Sequence, residues 1–499
     1  MMKLSFNKLT LSFIGLSMVL STFCIAKAQA PRVRAGSPAA SRPAAVKPVE
    51  APPVIVAKIG DYTITKQELQ KRLMTEIHPF NYGNYNEEPE PVSTEKVLLK
   101  MLAEKAVISE ARKGDYLKEE SLASLIQRYK DRNLVNLLLQ KQLQPRLTVT
   151  EPEIQKRMKA DPKLTRARAE ATIKNLKARM LFSQYYKYIY QKFHAKKLTE
   201  NFPKVVEIHQ RLMTKPKKPR TGGFIRIAQI KEELTQDEKD MVLVTFDKGK
   251  VTLKDWFDAL TEMSPPGRPK NLDTVKGVEQ LLDRVLSMPL LLAEALQQGL
   301  DKDKDFLQKV KEYEDSRLLS KVRSDKYREV KQPTAEEIMI YFGKNQEVFR
   351  KDKKLNIDLI WCRDLKTARQ AKAELDGGKD FEAIKQKYSL EKKIKPFNTS
   401  PGSEGLFWKD LWKGDPNDVI GPVKGFYRSG LNWRIVKILE KSPGELVGYS
   451  SDMDNRIKEK MMGEQREAIF ERYCNELLKK YTYQIYADKI KDIDPLNIP

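Results

Sequence analysis

The strongest constraint on the fold is a pattern that recurs along the 499-residue chain. Glu110-Ala111 is matched by Glu294-Ala295, Tyr129 by Tyr313, Asp131 by Asp315 and Leu134 by Leu318, and TEPEI at 150–154 is matched by TAEEI at 334–338, all at one constant offset. Self-similarity at a fixed interval implies an internal duplication, and both copies must then fold to one order of elements. The copies also begin alike. In VAKIGDYTITKQELQKRL a short strand turns at Gly60-Asp61, and Thr65-x-x-Glu68 forms a capping box that starts a helix; LVTFDKGKVTLKDWFDAL turns at Lys248-Gly249 and caps with Thr252 and Asp255. Trp256 and Leu260 stand where Leu69 and Leu73 stand in the first copy. Each copy reads on as amphipathic helices with wide apolar stripes, VLLKMLAEKAVISEA in one and VEQLLDRVLSMPLLLAEA in the other.

The copies span 55–158 and 239–350. Between them, 159–238 is a further helical stretch rich in Tyr, Lys and Arg, with no specific function legible in it. Ahead of them, 29–54 carries six prolines among alanines and no apolar period, the composition of an extended tether. Residues 1–28 place Lys3 and Lys8 before an apolar run and end in Ala26-Lys27-Ala28, which reads as a secretory signal peptide cut after Ala28. Loss of Lys3, Lys8 and Lys27 takes the formal charge from +24 to +21. A basic balance fits nucleic acid, anionic surfaces or acidic protein clients, but export removes access to nucleic acid, and the charges are interspersed along helices as on solvated faces. No later run is apolar enough to span a bilayer. Cys362 and Cys474 remain after cleavage and read as two separate buried thiols rather than a disulfide framework.

From 353 the texture becomes mixed α/β. LNIDLIWC at 355–362 is a strand whose odd positions Leu355, Ile357, Leu359 and Trp361 form one apolar face, so that Asp358 points to the other, where a site could lie. The helices TARQAKAEL and FEAIKQKY follow, separated by Gly377-Gly378, then PGSEG, FWKDLW, IGPV and the strand NWRIVKIL. A last helix near 449–480 precedes the β-like YTYQIYA within 442–499. The three histidines, His78, His194 and His209, all precede this region and lack metal-ligand spacing, so no imidazole is available to it and no metal is expected. Phosphate-binding glycine loops and a G-x-S-x-G nucleophile turn are missing from the sequence, and no nucleotide or other cofactor is expected.

The segment 353–441 resembles the parvulin peptidyl-prolyl isomerases. The resemblance runs through Leu375, Gly378, Asp380, Phe381, Ile384, Tyr388 and Ser389, with PGSEG as a worn glycine-rich loop, IGPV at 420–423 as the turn before the last strand, and Gly430 with IVKIL as that strand. The whole layout is similar to exported chaperones of the SurA and PrsA type. The fold so implied is a multidomain α+β chain: a duplicated, mostly helical region, a small α/β parvulin-like domain and a C-terminal helix.

The resemblance also marks site positions. Asp358 falls where the family has a first-strand histidine, and Asn432 or Arg434, depending on register, where it has a second; Glu391 falls near its acidic or thiol side chain. Trp361, Phe407 and Trp408 are the expected substrate-binding aromatics. The implied activity is ATP-independent holding of unfolded exported proteins in a periplasmic setting, with isomerase activity low or lost. The alternatives are an active isomerase using Glu391, Asp358 and the aromatic pair Phe407-Trp408, and a scaffolding protein for one partner. The sequence leaves the clients and the oligomeric state open.

Overall fold

The computed structural model describes residues 52–77, 86, 91–217, 223–428 and 430–498. The leader 1–28, most of the tether 29–54 and His78 lie outside the described residues.

Two series of elements run along the chain in one order. The first is β1 (Ile55–Ile59), β2 (Tyr62–Thr65), α1 (Lys66–Ile77), α2 (Thr94–Lys113), α3 (Glu120–Leu143), α4 (Glu151–Ala160), α5 (Arg166–Lys192) and β3 (Lys196–Lys197). Helix α6 (Phe202–Thr214) intervenes. The second series is β4 (Val242–Phe246), β5 (Gly249–Thr252), α7 (Leu253–Glu262), α8 (Val275–Gln297), α9 (Lys304–Tyr327) and α10 (Ala335–Lys344). A small module follows, made of β6 (Lys354–Cys362), α11 (Leu365–Asp376), α12 (Phe381–Tyr388), β7 (Phe397–Thr399), α13 (Trp408–Trp412), β8 (Val419–Tyr427) and β9 (Gly430–Ser442). The series then resumes with α14 (Asp454–Leu478) and β10 (Tyr483–Ile485).

The bounds of α3 and α9, and of α4 and α10, are offset at both ends by the same interval that separates Glu110 from Glu294. Capping residues set these limits. Thr65 with Glu68, Thr150 with Glu153, Thr252 with Asp255 and Thr334 with Glu337 each exchange side-chain and backbone bonds, which satisfies N–H groups that a helix start leaves unpaired. After the module the spacing widens. Val244 pairs with Lys197 as Ala57 pairs with Ile485, so these two closing strands stand further apart in sequence than the repeat interval, with the module lying between them. The segment read as an insert of unknown role, 159–238, thus supplies in α5 and β3 what α14 and β10 supply at the C-terminus.

The described residues form two compact units, each drawing on both series. Unit one is 120–314 and unit two is 52–119 with 315–498. Unit one joins α3, α4, α5 and β3 of the first series to β4, β5, α7 and α8 of the second, with sheet order β3-β4-β5. Its core gathers Leu138, Ile189, Phe202, Leu243, Trp256 and Leu286, all fully buried, at roughly 1.5–3 kcal/mol for each large side chain. Trp256 Nε1 donates to the Val278 carbonyl at 3.1 Å, which satisfies the indole in this apolar setting. Tyr129 of α3 stacks on Tyr313, its own counterpart in the second series, with ring centroids 3.7 Å apart, and Lys130 pairs with Glu314 at 2.9 Å.

Unit two takes β1, β2, α1 and α2 with the later part of α9, α10, α14 and β10, in sheet order β10-β1-β2. It also contains the module, whose sheet is antiparallel in the order β7-β6-β9-β8. Glu104, nearly buried on α2, receives Arg72 at 3.1 Å and Arg323 at 3.3 Å. Cys362 and Cys474, both in this unit, are buried free thiols; burial pushes them up to about 11 and about 12, so both stay protonated at neutral pH.

Candidate functional site

The module's sheet is covered on both faces. Leu355, Ile357, Leu359 and Trp361 of β6 pack with Val436, Ile438, Trp408 and Leu411 on one side. Ile360 and Cys362 pack with Ala368, Ala371, Phe381, Ile384 and Ile435 on the other, beneath α11 and α12. The residues of the helix-loop-helix resemblance explain this cover. Gly378 adopts φ +84°, a left-handed conformation that turns the chain out of α11 at little cost for glycine. Asp380 then caps α12 by accepting from Ala383 N at 2.9 Å, and Phe381 and Ile384 go into the core. Glu374 receives Lys387 at 2.7 Å, Tyr388 at 2.5 Å and Lys379 at 3.0 Å; these donors hold its carboxyl down at about 2.

The expected site residues separate between the two faces. Asp358 lies on the helix-covered side, where Lys385 of α12 reaches it at 2.5 Å; the Lys385 side chain is 3% exposed. The same carboxylate accepts from Leu359 N at 2.8 Å. The expectation that Asp358 looks into an open site is corrected: both faces of β6 are core, and the second face carries a charge only because a buried lysine answers it.

Arg434 lies on the opposite face, directly across the sheet from Trp361 in register. Its guanidinium sits 5.3 Å from the centre of the Trp361 ring and donates to Glu404 at 2.5 and 3.4 Å, both residues being buried. Thr399 also donates to that carboxylate, at 2.6 Å. Gly425 makes the arrangement possible, since a Cβ there would stand 2.3 Å from Arg434 Nε. PGSEG is not an open loop: Pro401–Glu404 form a short helical turn that carries Glu404 into this pair. Sequence reasoning missed Glu404. The available signal was Arg434 itself, a charge inside a strand covered on both faces, which requires a buried carboxylate nearby.

Trp361 and Trp408 are brought to this side but are buried, with Tyr427 against Trp361 at 5.1 Å; Phe407 is also buried and packs against Phe426 at 5.2 Å. Glu391 stands at the rim, 3.7 Å from Arg428, and helps burial raise the Tyr427 hydroxyl above its ordinary value. Asn432 lies opposite Gly425, its side chain accepting from Trp433 N at 3.0 Å. This side of the sheet thus holds a neutralised ion pair and packed indoles.

No known family model matches the chain. Among curated proteins, a foldase protein PrsA of Bacillus cereus is 26% identical over 142 residues, covering 28% of this chain and 50% of the relative. A foldase protein PrsA of Caldanaerobacter subterraneus is 23% identical over 237 residues, covering 44% of this chain and 74% of the relative. The chain is similar to the SurA/PrsA type of chaperone. It spans half the length of the Bacillus cereus relative. Among solved structures, a SurA-like chaperone of Campylobacter jejuni aligns at 14% identity over 46% of this chain and 94% of that one, with a TM-score of 0.23. PrsA from Bacillus cereus aligns at 18% identity over 52% and 96%, with a TM-score of 0.21. The chain itself is mostly helical, multidomain α+β.

Proposed function

We propose that this protein is an exported, ATP-independent holdase for unfolded proteins, built by internal duplication, with a parvulin-like module of little or no isomerase activity. The observation that carries the reading is where apolar surface lies. Leu176 and Met180 on α5, Leu296 on α8, Leu307 on α9, and Met339 and Ile340 on α10 are each about half exposed or more, whereas Trp361, Phe407 and Trp408 of the module are buried, with Leu390 and Phe397 its more exposed apolar residues. Unit two also holds a cavity of about 490 Å³ walled in part by Val92, Val97, Leu99 and Phe470. Weak apolar contacts repeated over such helices suit the holding of many unrelated chains. Similarity to two PrsA foldases supports a chaperone or foldase role.

Burial of Trp361, Phe407 and Trp408 and the pairing of Arg434 with Glu404 argue against isomerisation. That reaction lowers a barrier of roughly 18–20 kcal/mol by twisting and desolvating an X-Pro amide, for which the amide must enter the site. The described residues contain no helix long and apolar enough to cross a membrane, and the reading of 1–28 as a leader supports export, to a periplasm or an outer cell surface.

Light scattering of a thermally unfolding client without nucleotide tests the holdase, and a proline-peptide assay tests the module. Suppressed scattering with no rate above the uncatalysed one is expected. Robust isomerisation would make the protein an active foldase, and binding of one partner alone would make it a scaffold. N-terminal sequencing of the exported protein should begin at Gln29.

A further inference from the structure

The two series place one aspartate in the same helical position twice, as Asp131 on α3 and Asp315 on α9. In unit two Asp315 is buried and served by the chain itself. Arg112 donates to it from Nε at 3.0 Å and from Nη2 at 2.7 Å, and Tyr62 donates from its hydroxyl at 3.0 Å. The counterparts of these two donors in the other series are Leu296, which follows Glu294-Ala295 as Arg112 follows Glu110-Ala111, and Gly249, which holds in β5 the place Tyr62 holds in β2. Neither can donate from a side chain. Asp131 accepts instead from Gln127 Nε2 at 2.7 Å, a neighbour one turn away on α3.

A cavity of about 450 Å³ opens beside Asp131 in unit one. Leu134, Leu292, Phe306 and Val310 supply apolar wall, and Leu296 and Leu307, each about half exposed, stand at its edge. Three carboxylates, Asp131, Asp301 and Glu314, line it against two ammonium groups, Lys130 and Lys311, and Lys130 is already paired with Glu314. The unit that has an arginine at this position uses it on the aspartate; the unit that has a leucine there has a cavity with an acid at one side.

Resting on the holdase reading above, we propose that Asp131 and this cavity bind an arginine side chain presented by an unfolded client. Arginine suits the site better than lysine. Its planar fork offers two donors to one carboxylate, as Arg112 does for Asp315, and its weakly hydrated plane and methylene stem tolerate apolar walls. Clients would then be held by apolar contacts along the helices and placed in register by a basic residue.

The test uses the full mature protein and labelled ten-residue peptides of alanine and leucine carrying one central arginine or its uncharged isostere citrulline. Fluorescence anisotropy should show the arginine peptide binding about 10-fold more tightly, the scale of one charge-assisted hydrogen-bonded contact. Asp131→Asn should abolish that preference. Leu296→Arg, which copies the unit-two arrangement, should weaken the arginine peptide selectively. Equal affinity for the two peptides, no binding of either, or a preference that survives in Asp131→Asn overturns the proposal. A protein that suppresses client aggregation but shows no arginine preference refutes this site alone; one that fails to suppress aggregation refutes the holdase reading and the site together.

Discussion

Unit one and unit two are assembled from equivalent elements yet treat equivalent positions differently. Glu294 of unit one is buried and takes Lys192 at 2.6 Å and Gln298 at 2.6 Å, whereas its counterpart Glu110 in unit two is more exposed and accepts from Tyr481 at 2.8 Å. Asp315 of unit two is saturated by Arg112 and Tyr62, whereas Asp131 of unit one has the amide of Gln127. A backbone plan set by caps and apolar stripes thus tolerates relocation of its polar contacts, provided that each buried charge keeps a partner. Unit two differs further by holding the parvulin-like module between α10 and α14, where unit one runs directly from α4 to α5.

The largest expected effect lies in the part that unit one lacks. Arg434→Ala leaves Glu404 buried without its cation and should destabilise the module by about 4 kcal/mol, read from denaturant unfolding. A cost under about 1 kcal/mol would show that the pair is readily hydrated and the face open. Asp358→Ala should cost about 3 kcal/mol, because buried Lys385 would keep only Glu382 at 3.8 Å, and leave any isomerisation rate unchanged. A lower rate with unaltered stability would restore Asp358 as a working carboxylate.

The units themselves separate at the paired aspartates. Asp315→Ala should cost about 2–3 kcal/mol, because a buried acceptor of three donor atoms is removed, and Asp131→Ala about 0.5 kcal/mol or less. Equal costs would erase the distinction on which the arginine site depends. Deleting 353–441 with a short linker should leave most protection of an unfolding client in light scattering; complete loss would move client binding into the module. The smallest effect is a pH dependence. Because the folded Glu374 carboxyl lies at about 2, below its ordinary value, its contribution is present above about pH 4.5 and fades as pH falls toward 2. Glu374→Gln should flatten that acid limb of the melting temperature, and an unchanged limb would show the three donors to be inconsequential.

Much of the fold is legible in the sequence because it rests on local chemistry. The capping threonines mark helix starts, the alternation through Leu355 to Trp361 marks a strand, and Gly378 with Asp380 marks the turn between two helices. The site is less legible. Period two shows that β6 has an apolar face but does not show that its other face is also covered, so Asp358 reads as facing an opening that α12 in fact closes. Glu404 gives no local sign because its partner Arg434 is 30 residues away and meets it only through the sheet.

By itself the sequence determined the repeat, the order of elements in each series and the change to a mixed α/β module without histidine, since all of these are written in residue type and spacing. Only the tertiary structure decided which helix covers which stripe. An apolar stripe needs burial but does not specify its partner, and here β1, β2, α1 and α2 are completed by elements of the second series while α3 to α5 complete the other unit. The same freedom decided which charges meet. Asp131 and Asp315 are identical letters in matching positions, and what separates a carboxylate held by a distant arginine from one left to a neighbour on its own helix is the set of residues that the chain brings from elsewhere.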